Sequence, residues 1–312
     1  FLFMAVKTNS IKAWLLASRP KTLAAAMAPL FVGCGMAAYY GEFKIIPALS
    51  CLFFAISMQI AANLINDYFD FLKGADGEDR LGPLRATAQG WITPKTMIKG
   101  ILVVIILGCC CGFTLIFYGG IEMIAVGAFC VLFAYLYTSG PFPLAYNGLG
   151  DLAVILFFGL VAVGFTAYVQ TLNWTSLLVW GGIATGMVVN TLLVLNNYRD
   201  RVGDAKVGKR TLVVLLGEPF GRYFYFALGI IAILIQQVLF RQLLPQKSDF
   251  TLIHWICLFV MPIIYLLLHY FTWRKISLLR EGKVLNTLIG ETSRNMLIYS
   301  ISFAVGLAII GY

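Results

Sequence analysis

Two clusters of asparagine and aspartate carry the side chains most suited to chemistry in this sequence. The segments Asn66-Asp67-Tyr68-Phe69-Asp70 and Asn196-Asn197-Tyr198-Arg199-Asp200 lie 130 positions apart and share Asn, Tyr and Asp in register. On a helix, residues three or four positions apart lie on one face, so Asn63, Asp67 and Asp70 form one stripe. Asn196, Asp200 and Asp204 form a second stripe by the same spacing. Carboxylate and amide oxygens suit Mg²⁺, which also binds substrate phosphate oxygens, so the clusters predict a magnesium site.

Basic residues follow both clusters. Lys73, Arg80 and Arg85 come after the first cluster. Lys206, Lys209 and Arg210 come after the second. Arg and Lys donors beside Mg²⁺-binding carboxylates are suited to a diphosphate group. Solvated loop charges are the simpler interpretation of most basic residues here, but two matched acidic clusters favour a site.

The segments around these clusters are apolar enough to cross a membrane. Of the 312 residues, 60% are hydrophobic and 12% are charged, whereas soluble domains carry roughly 25% charged residues. Apolar runs near the length that a bilayer requires recur along the chain. We predict nine transmembrane helices, near residues 22–40, 45–66, 98–118, 120–138, 149–169, 176–196, 220–240, 251–271 and 294–311.

The distribution of lysine and arginine predicts the orientation of these helices. Twenty of the 23 basic residues fall on the side of the N-terminus, and Lys44, Arg241 and Lys247 fall on the other. Because basic loops stay in the cytoplasm, we expect the N-terminus inside, the C-terminus outside and both clusters at the cytoplasmic face. The repeated cluster further predicts two parallel four-helix units, near 13–145 and 146–275, and a ninth helix within a single domain of residues 1–312.

Other classes of protein fit these features less well. The net charge of +9 lies in loops between apolar segments, which favours lipid or phosphate partners over nucleic acid. The seven cysteines show no metal-binding spacing. An ion-coupled transporter remains an alternative, because carboxylates inside a membrane also mark ion paths. Its sites favour the bilayer midplane and broken helices, whereas these carboxylates close predicted spans beside basic loops.

The two acidic motifs resemble those of the UbiA superfamily of intramembrane prenyltransferases. The resemblance rests on residues 66–70 and on Asp200-Arg201-Val202-Gly203-Asp204, and it covers essentially the whole chain. It implies nine transmembrane helices with both motifs in the cytoplasm. The usual first motif, Asn-x3-Asp-x3-Asp, gives Asp70 and then Gly74 here, so the third carboxylate is displaced to Asp76.

Further motifs resemble the 1,4-dihydroxy-2-naphthoate polyprenyltransferases of menaquinone biosynthesis. They are NDYFDFLKGAD at 66–76, RPKT at 19–22, GPLR at 82–85, YTSGP at 137–141, PLAY at 143–146, GLG at 148–150 and GKRT at 208–211. Asp151 stands where members often have Glu. The resemblance implies transfer of a polyprenyl group from its diphosphate to 1,4-dihydroxy-2-naphthoate, with loss of pyrophosphate and CO2, to give demethylmenaquinone. Another aromatic acceptor, such as 4-hydroxybenzoate, remains the alternative within this class.

Roles for individual residues follow from the clusters and the resemblance together. We expect two Mg²⁺ ions, held by the candidate ligands Asn63, Asn66, Asp67, Asp70, Asp76, Asn196, Asn197, Asp200 and Asp204. We expect the diphosphate to bind Lys73, Arg85, Lys209 and Arg210. The residues expected to act directly in catalysis are Asp67, Asp70, Asp200, Asp204, Lys73, Tyr137 and Tyr198. The tyrosines would offer π faces to an allylic cation in a dry pocket.

Acceptor binding and location complete these expectations. We expect the acceptor to bind Arg19, Lys21 and Tyr146, because its carboxylate requires a cation. The partners are then the polyprenyl diphosphate, the naphthoate and membrane lipid. A bacterial cytoplasmic membrane, with the active site facing the cytoplasm, is the expected location.

Overall fold

The computed structural model describes residues 6–74, 81–244 and 251–311, and within these residues all regular structure is helical. The shorter helical turns are Ile116–Gly119 and Leu144–Tyr146. The helices are α1 Ile11–Ser18, α2 Pro20–Tyr39, α3 Ile45–Leu72, α4 Pro94–Phe113, α5 Glu122–Leu136, α6 Gly150–Thr171, α7 Ser176–Lys206, α8 Leu212–Leu216, α9 Glu218–Leu243, α10 Leu252–Leu279 and α11 Leu285–Gly311.

Eight helical segments of the described chain are long and apolar enough to cross a membrane. They correspond to α2, α3, α4 with the turn that follows it, α6, α7, α9, α10 and α11. The predicted all-helical membrane protein is therefore confirmed. The fourth predicted span, 120–138, corresponds to α5, which has 15 residues and extends about 22 Å, short of a hydrocarbon core of about 30 Å. The count of nine, the repeat units and the orientation stay predictions.

The two helices that carry the acidic clusters are longer than a membrane requires. Helix α3 has 28 residues and α7 has 31, so they extend about 42 and 46 Å. Both continue past the predicted span ends at 66 and 196. Helix α3 ends at Leu72, before Lys73 and Gly74, because Gly74 has a φ of 66° that residues with a side chain rarely adopt. Each cluster is therefore held on rigid helical backbone.

Small residues allow α6 and α7 to pack with their backbones close together. A Cβ atom placed on Gly159 of α6 would collide with the Gly182 carbonyl oxygen and lie 2.9 Å from the Gly186 Cα. Close approach through small residues is a usual way for helices to associate in a membrane. At this contact α6 widens into a π-helical stretch, Ile155–Val161. Helix α7 thereby becomes the most buried of the candidate spans.

The first and last long helices pack side by side. A Cβ atom on Gly35 of α2 would lie 2.5 Å from the Ala304 Cα of α11. At the other end of this contact the Ser293 hydroxyl donates to the Lys21 carbonyl oxygen at 3.0 Å. Helix α2 also packs against α3, α6 and α7. The N-terminal helices are thus joined to the C-terminal half of the chain.

Candidate active site

A cavity of about 1430 Å³ runs through the helices and reaches both acidic clusters. Along α3 its wall extends from Cys51 to Asp70, which is about 28 Å of helix. Asp70, Asp200 and Asp204 line one end of it. Apolar side chains line the rest, among them Leu30, Phe54, Leu115, Met123 and Phe165. The cavity thus offers a charged end and a long apolar interior.

The first cluster contributes Asp70 to the charged end of the cavity. The Arg85 guanidinium donates from one Nη atom to Asp70 and to Asn66, both at 2.7 Å. The Tyr146 hydroxyl donates to the other Asp70 oxygen at 2.9 Å. Arg85 is 4% exposed, and its charge compensates that of the largely buried carboxylate. The structure therefore brings together Asn66, Asp70, Arg85 and Tyr146. From the sequence, these residues are expected to serve three different tasks, which are metal, diphosphate and acceptor binding.

Asp67 lies on a different side of α3 from the cavity wall. Its two oxygens accept hydrogen bonds from the Ala86 and Thr87 backbone amides at 2.8 and 2.9 Å, and its side chain is 1% exposed. Three helical positions separate Asp67 from Asp70 by about 60° around the axis, enough to turn one toward the loop and the other toward the cavity. In this structure Asp67 anchors the loop that presents Arg85. The sequence predicts Asp67 as a metal ligand on the cavity wall, and the structure corrects that position because Asp67 faces the loop instead.

The second cluster places two more carboxylates on the cavity wall, each held by a basic side chain. Arg199 donates to both Asp200 oxygens, from Nε at 2.8 Å and from Nη2 at 2.6 Å. Lys209 lies 3.1 Å from Asp204. The Asp204 carboxylate lies close enough to Asp200 and Asp70 to feel both of their charges. Like charges at this separation repel, and the basic partners of the three carboxylates offset that repulsion in this structure, as a bound cation also would.

Two residues of this end were not predicted from the sequence. The sequence-based predictions give Arg199 no role, although its place between Tyr198 and Asp200 is a signal. Its Nη1 donates to the Asn286 side chain at 2.9 Å, and Asn286 in turn donates to the Leu81 carbonyl oxygen at 2.8 Å. Asn286 lies 87 positions from Arg199, so no local pattern pointed to it.

Tyr146 connects the two clusters through its ring as well as its hydroxyl. The Lys73 ammonium lies 4.1 Å and the Lys209 ammonium 5.8 Å from the centre of the ring. Lys73 also donates to the Thr138 carbonyl oxygen at 2.7 Å. Burial lowers the pKa of Lys73, Asp70 raises it in part, and Lys209 lowers it further. Two lysines thus lie around the Tyr146 ring, and Arg85 contacts the same Asp70 carboxylate as the Tyr146 hydroxyl.

The predicted acceptor-binding residues Arg19 and Lys21 line the cavity at the junction of α1 and α2. Arg19 has a φ of 51°, an uncommon conformation for a residue with a side chain, and such strain often occurs at functional sites. The Asn63 amide secures the junction, because its Nδ2 donates to the Ser18 carbonyl oxygen at 3.0 Å and to the Thr22 hydroxyl at 3.1 Å.

The remaining predicted residues divide between the cavity and other places. Asn63, Asn196, Asn197 and Tyr137 line the cavity. Tyr198 is 1% exposed and donates from its hydroxyl to Glu218 of α9, so its expected contact with substrate is corrected. The Arg210 side chain is exposed, and its backbone amide donates to the Tyr146 carbonyl oxygen at 2.9 Å. Asp76 lies outside the described residues.

The oxygen donors on the wall fit Mg²⁺ better than a softer metal. In the described part of the chain no group of three or more His, Cys, Asp or Glu side chains is arranged to hold a metal ion by itself. The donors that face the cavity are carboxylates and amides. Mg²⁺ binds through one or two carboxylates together with substrate phosphates and water, so an incomplete protein cage suits it.

Comparison with known proteins agrees with this geometry. A model of the UbiA prenyltransferase family matches residues 26–285. The chain is 37% identical to the 1,4-dihydroxy-2-naphthoate octaprenyltransferase of Escherichia coli over 223 residues, which is 70% of this chain and 72% of that protein. It is 39% identical to the enzyme of the same name from Mycobacterium tuberculosis over 225 residues, with coverage of 72% and 76%.

Solved structures share the fold. The structure of a UbiA homolog from Archaeoglobus fulgidus bound to GPP and Mg²⁺ aligns with a TM-score of 0.65 at 14% identity, and covers 94% of this chain and 99% of that one. A structure of digeranylgeranylglyceryl phosphate synthase aligns with a TM-score of 0.59 at 18% identity, with coverage of 96% and 99%. At these identities the similarity shows the fold alone.

Proposed function

The chain belongs to the UbiA prenyltransferase family, and we propose that it transfers a polyprenyl group from a polyprenyl diphosphate to 1,4-dihydroxy-2-naphthoate in menaquinone biosynthesis. The observation that carries this proposal is the 37% and 39% identity to two 1,4-dihydroxy-2-naphthoate octaprenyltransferases over most of the chain. The cavity supports it, because an apolar tail and a charged head group match its two regions. Neither 4-hydroxybenzoate prenylation nor ion-coupled transport has comparable support.

Two bonds break in this reaction, which are the allylic C–O bond of the diphosphate and the C–C bond between the acceptor ring and its carboxylate. The allylic C–O bond of the diphosphate ionises, and pyrophosphate leaves with the bonding electrons. The ring carbon that bears the carboxylate attacks the allylic carbon. The C–C bond to the carboxylate then breaks, CO2 leaves, and its electron pair restores the aromatic ring. The immediate product is the hydroquinone form of demethylmenaquinone, which yields the quinone on oxidation.

We propose that the charged end of the cavity binds the diphosphate. Asp70, Asp200 and Asp204, with the amides of Asn66 and Asn197, would hold two Mg²⁺ ions, one at each cluster, and the bound metal supplies positive charge that stabilises the leaving pyrophosphate.

Basic side chains of the chain add to that charge. Lys73 and Lys209 flank the Tyr146 ring and can donate to diphosphate oxygens. Arg85 and Arg199 are 4% and 3% exposed, so their positions are set before substrate binds. Donors fixed in advance stabilise developing charge without reorganising.

The apolar part of the cavity would hold the isoprenoid tail and keep water from the allylic cation. Its lining by Phe54, Leu115, Met123 and Phe165 presents aromatic and aliphatic surface to the tail, which favours reaction of the cation with the acceptor ring over reaction with water. Arg19 and Lys21 would bind the acceptor carboxylate at the cavity entrance. The excess of basic residues on one side supports a cytoplasmic entrance in a bacterial inner membrane.

Turnover by the purified protein tests this proposal. The protein in detergent or lipid nanodiscs is given polyprenyl diphosphate, Mg²⁺ and either 1,4-dihydroxy-2-naphthoate or 4-hydroxybenzoate, and prenylated product and CO2 are measured. We expect product and CO2 with the naphthoate only, and none after EDTA treatment. Asp70→Ala and Asp200→Ala should each abolish turnover in protein that remains folded. A folded wild-type protein that converts neither acceptor would refute the proposal.

A further inference from the structure

Asp151 is a buried carboxylate on the cavity wall that the proposed chemistry leaves without a role. It lies in the first turn of α6 and is 4% exposed. The Asn190 side chain of α7 donates to it from Nδ2 at 3.1 Å, and Asn190 is 0% exposed. Within the described residues the Asn190 Oδ1 atom has no hydrogen-bond partner. Burying a carboxylate at membrane depth is expensive, so its presence suggests a function.

Asp151 differs from the other acids of the cavity in having no cation beside it. Asp70, Asp200 and Asp204 each pair with Arg85, Arg199 or Lys209 within 3.1 Å. For Asp151, no Lys, Arg or His nitrogen of residues 6–74, 81–244 or 251–311 lies within 4.0 Å. The donor that the structure gives this carboxyl group is the Asn190 amide, and no cation beside it would attract a diphosphate. The group that Asp151 suits is a neutral hydrogen-bond donor.

The position of Asp151 lies between the charged end and the apolar interior. Its partner Asn190 precedes Asp200 by ten positions on α7, about 15 Å along the helix. A Cβ atom on the neighbouring Gly150 would lie 3.4 Å from the Tyr137 hydroxyl and 3.7 Å from Leu193. Tyr137, Asp151 and Leu193 all line the cavity. An aromatic ring placed here would have the diphosphate on one side and the tail channel on the other.

Of the two substrates in the proposed reaction, the naphthoate is the one that carries neutral donors. Its isoprenoid partner has no O–H or N–H group. The acceptor has two hydroxyl groups, and the one at C1 is beside the C2 carboxylate and bonds to it internally. The C4 hydroxyl is free and points away from that carboxylate. A substrate carboxylate would be repelled by Asp151 and would find cations at Arg19 and Lys21, which also line the cavity.

We propose that the Asp151 carboxylate, held in place by Asn190, accepts a hydrogen bond from the C4 hydroxyl of the acceptor and so orients its ring toward the allylic carbon. This inference rests on the proposed function and deepens it by assigning the acceptor subsite. It also gives the site a means of selection, because an acceptor without a donor at this position would leave Asp151 with Asn190 as its one side-chain donor within the described residues.

A cycle that combines a variant with a modified acceptor tests the contact. Asp151→Asn and the wild type are each assayed with 1,4-dihydroxy-2-naphthoate and with its 4-O-methyl ether, which lacks the donor. Removal of a hydrogen bond to a charged group lowers kcat/KM for the acceptor roughly 10- to 100-fold. We expect a loss of that size from either change alone, and a further loss of no more than about threefold when both are combined, since the contact can be lost only once.

Other readouts separate acceptor binding from a structural effect. The KM for polyprenyl diphosphate should stay the same in Asp151→Asn, because the charged end is untouched. Glu291→Gln is the matched control: Glu291 pairs with Lys275 outside the cavity, and its loss should leave both acceptors unaffected. We expect Asp151→Asn to fold, since it removes a buried charge that lacks a cation. If it fails to fold, Asp151→Glu should keep the selective loss on the methyl ether.

The outcomes distinguish this inference from the proposed function. If wild-type protein makes no product from the unmodified naphthoate, the proposed function itself fails. If wild-type protein is active but Asp151→Asn keeps its kcat/KM for the acceptor, the inference is overturned. It is also overturned if the variant and the methyl ether reduce kcat/KM independently, so that their fold losses multiply. An Asp151→Glu protein that no longer distinguishes the two acceptors would contradict it equally.

Discussion

Replacing Asp67 by asparagine distinguishes an anchor of the Arg85 loop from a metal ligand. Asp67 accepts two backbone hydrogen bonds, from Ala86 and Thr87, at 2.8 and 2.9 Å. Hydrogen bonds to a charged group contribute roughly 1.5–3 kcal/mol each. In Asp67→Asn one oxygen remains as an acceptor, while the new NH2 group faces a backbone N–H. We therefore expect a loss of about 2–3 kcal/mol in the free energy of unfolding.

The loss should appear as a change in stability and in the placement of Arg85. A destabilisation of that size lowers the melting temperature by on the order of 5 °C in a chain of this length. Turnover should fall because Arg85, released with its loop, no longer sits against Asp70. The concentration of Mg²⁺ that gives half-maximal turnover should change less than threefold. Thermal unfolding in detergent and a Mg²⁺ titration of turnover measure the two quantities.

Asp70→Asn is the matched control, since the same chemical change is made on the cavity wall. It should raise the Mg²⁺ requirement by tenfold or more, because a hard carboxylate ligand is replaced by a neutral amide. If Asp67→Asn instead raises the Mg²⁺ requirement and leaves the melting temperature unchanged, Asp67 is a ligand. The assignment of Asp67 to the loop would then be refuted.

Two further substitutions test the packing of the helices and the link between the clusters. Gly159→Ala should lower the melting temperature and reduce the free energy of unfolding by roughly 1–3 kcal/mol, because its Cβ would collide with the Gly182 carbonyl oxygen. Gly127→Ala is the control and should not destabilise the protein, because no atom lies within 4 Å of the added Cβ. Equal melting temperatures for the two variants would contradict the close approach of α6 and α7. Tyr146→Phe removes the hydroxyl that donates to Asp70 at 2.9 Å and should reduce kcat/KM about tenfold or more. Tyr146→Leu also removes the ring between two lysines and should reduce it further; identical kinetics for the two variants would mean that the ring contacts contribute nothing.

Much of the candidate site could be predicted because it depends on local spacing and composition. Asp70, Asp200 and Asp204 lie on long helices, at the intervals that bring each set to one face. The tertiary structure places all three on the wall of one cavity, with Lys73, Arg85 and Lys209 close by. The repeated motif predicted that the two clusters meet, although they are separated by more than a hundred residues. The extent of each helix was less predictable, because hydropathy marks the membrane and not the end of the helix.

The parts that could not be predicted depend on contacts between distant segments. Tyr198 stands in the same motif as Asp200, yet its hydroxyl bonds to Glu218 of α9. Arg199 has no role in the sequence-based predictions, but it is 3% exposed and reaches both Asp200 and Asn286. Asp151 was noted only as a difference from related motifs, and its burial beside Asn190 became visible in the structure.

Composition and residue spacing were enough to predict a helical membrane protein and the side chains that could form its site. Long apolar runs can be stable only in a membrane, and acidic and basic residues at helical spacing fix which side chains share a face. The tertiary structure decided what each face contacts. Asp67 turns to the loop at Ala86 while Asp70, three positions later, turns to the cavity. The physical reason is that helical periodicity sets the angle between two side chains, whereas the segment that packs against each of them is chosen by the folding of the whole chain.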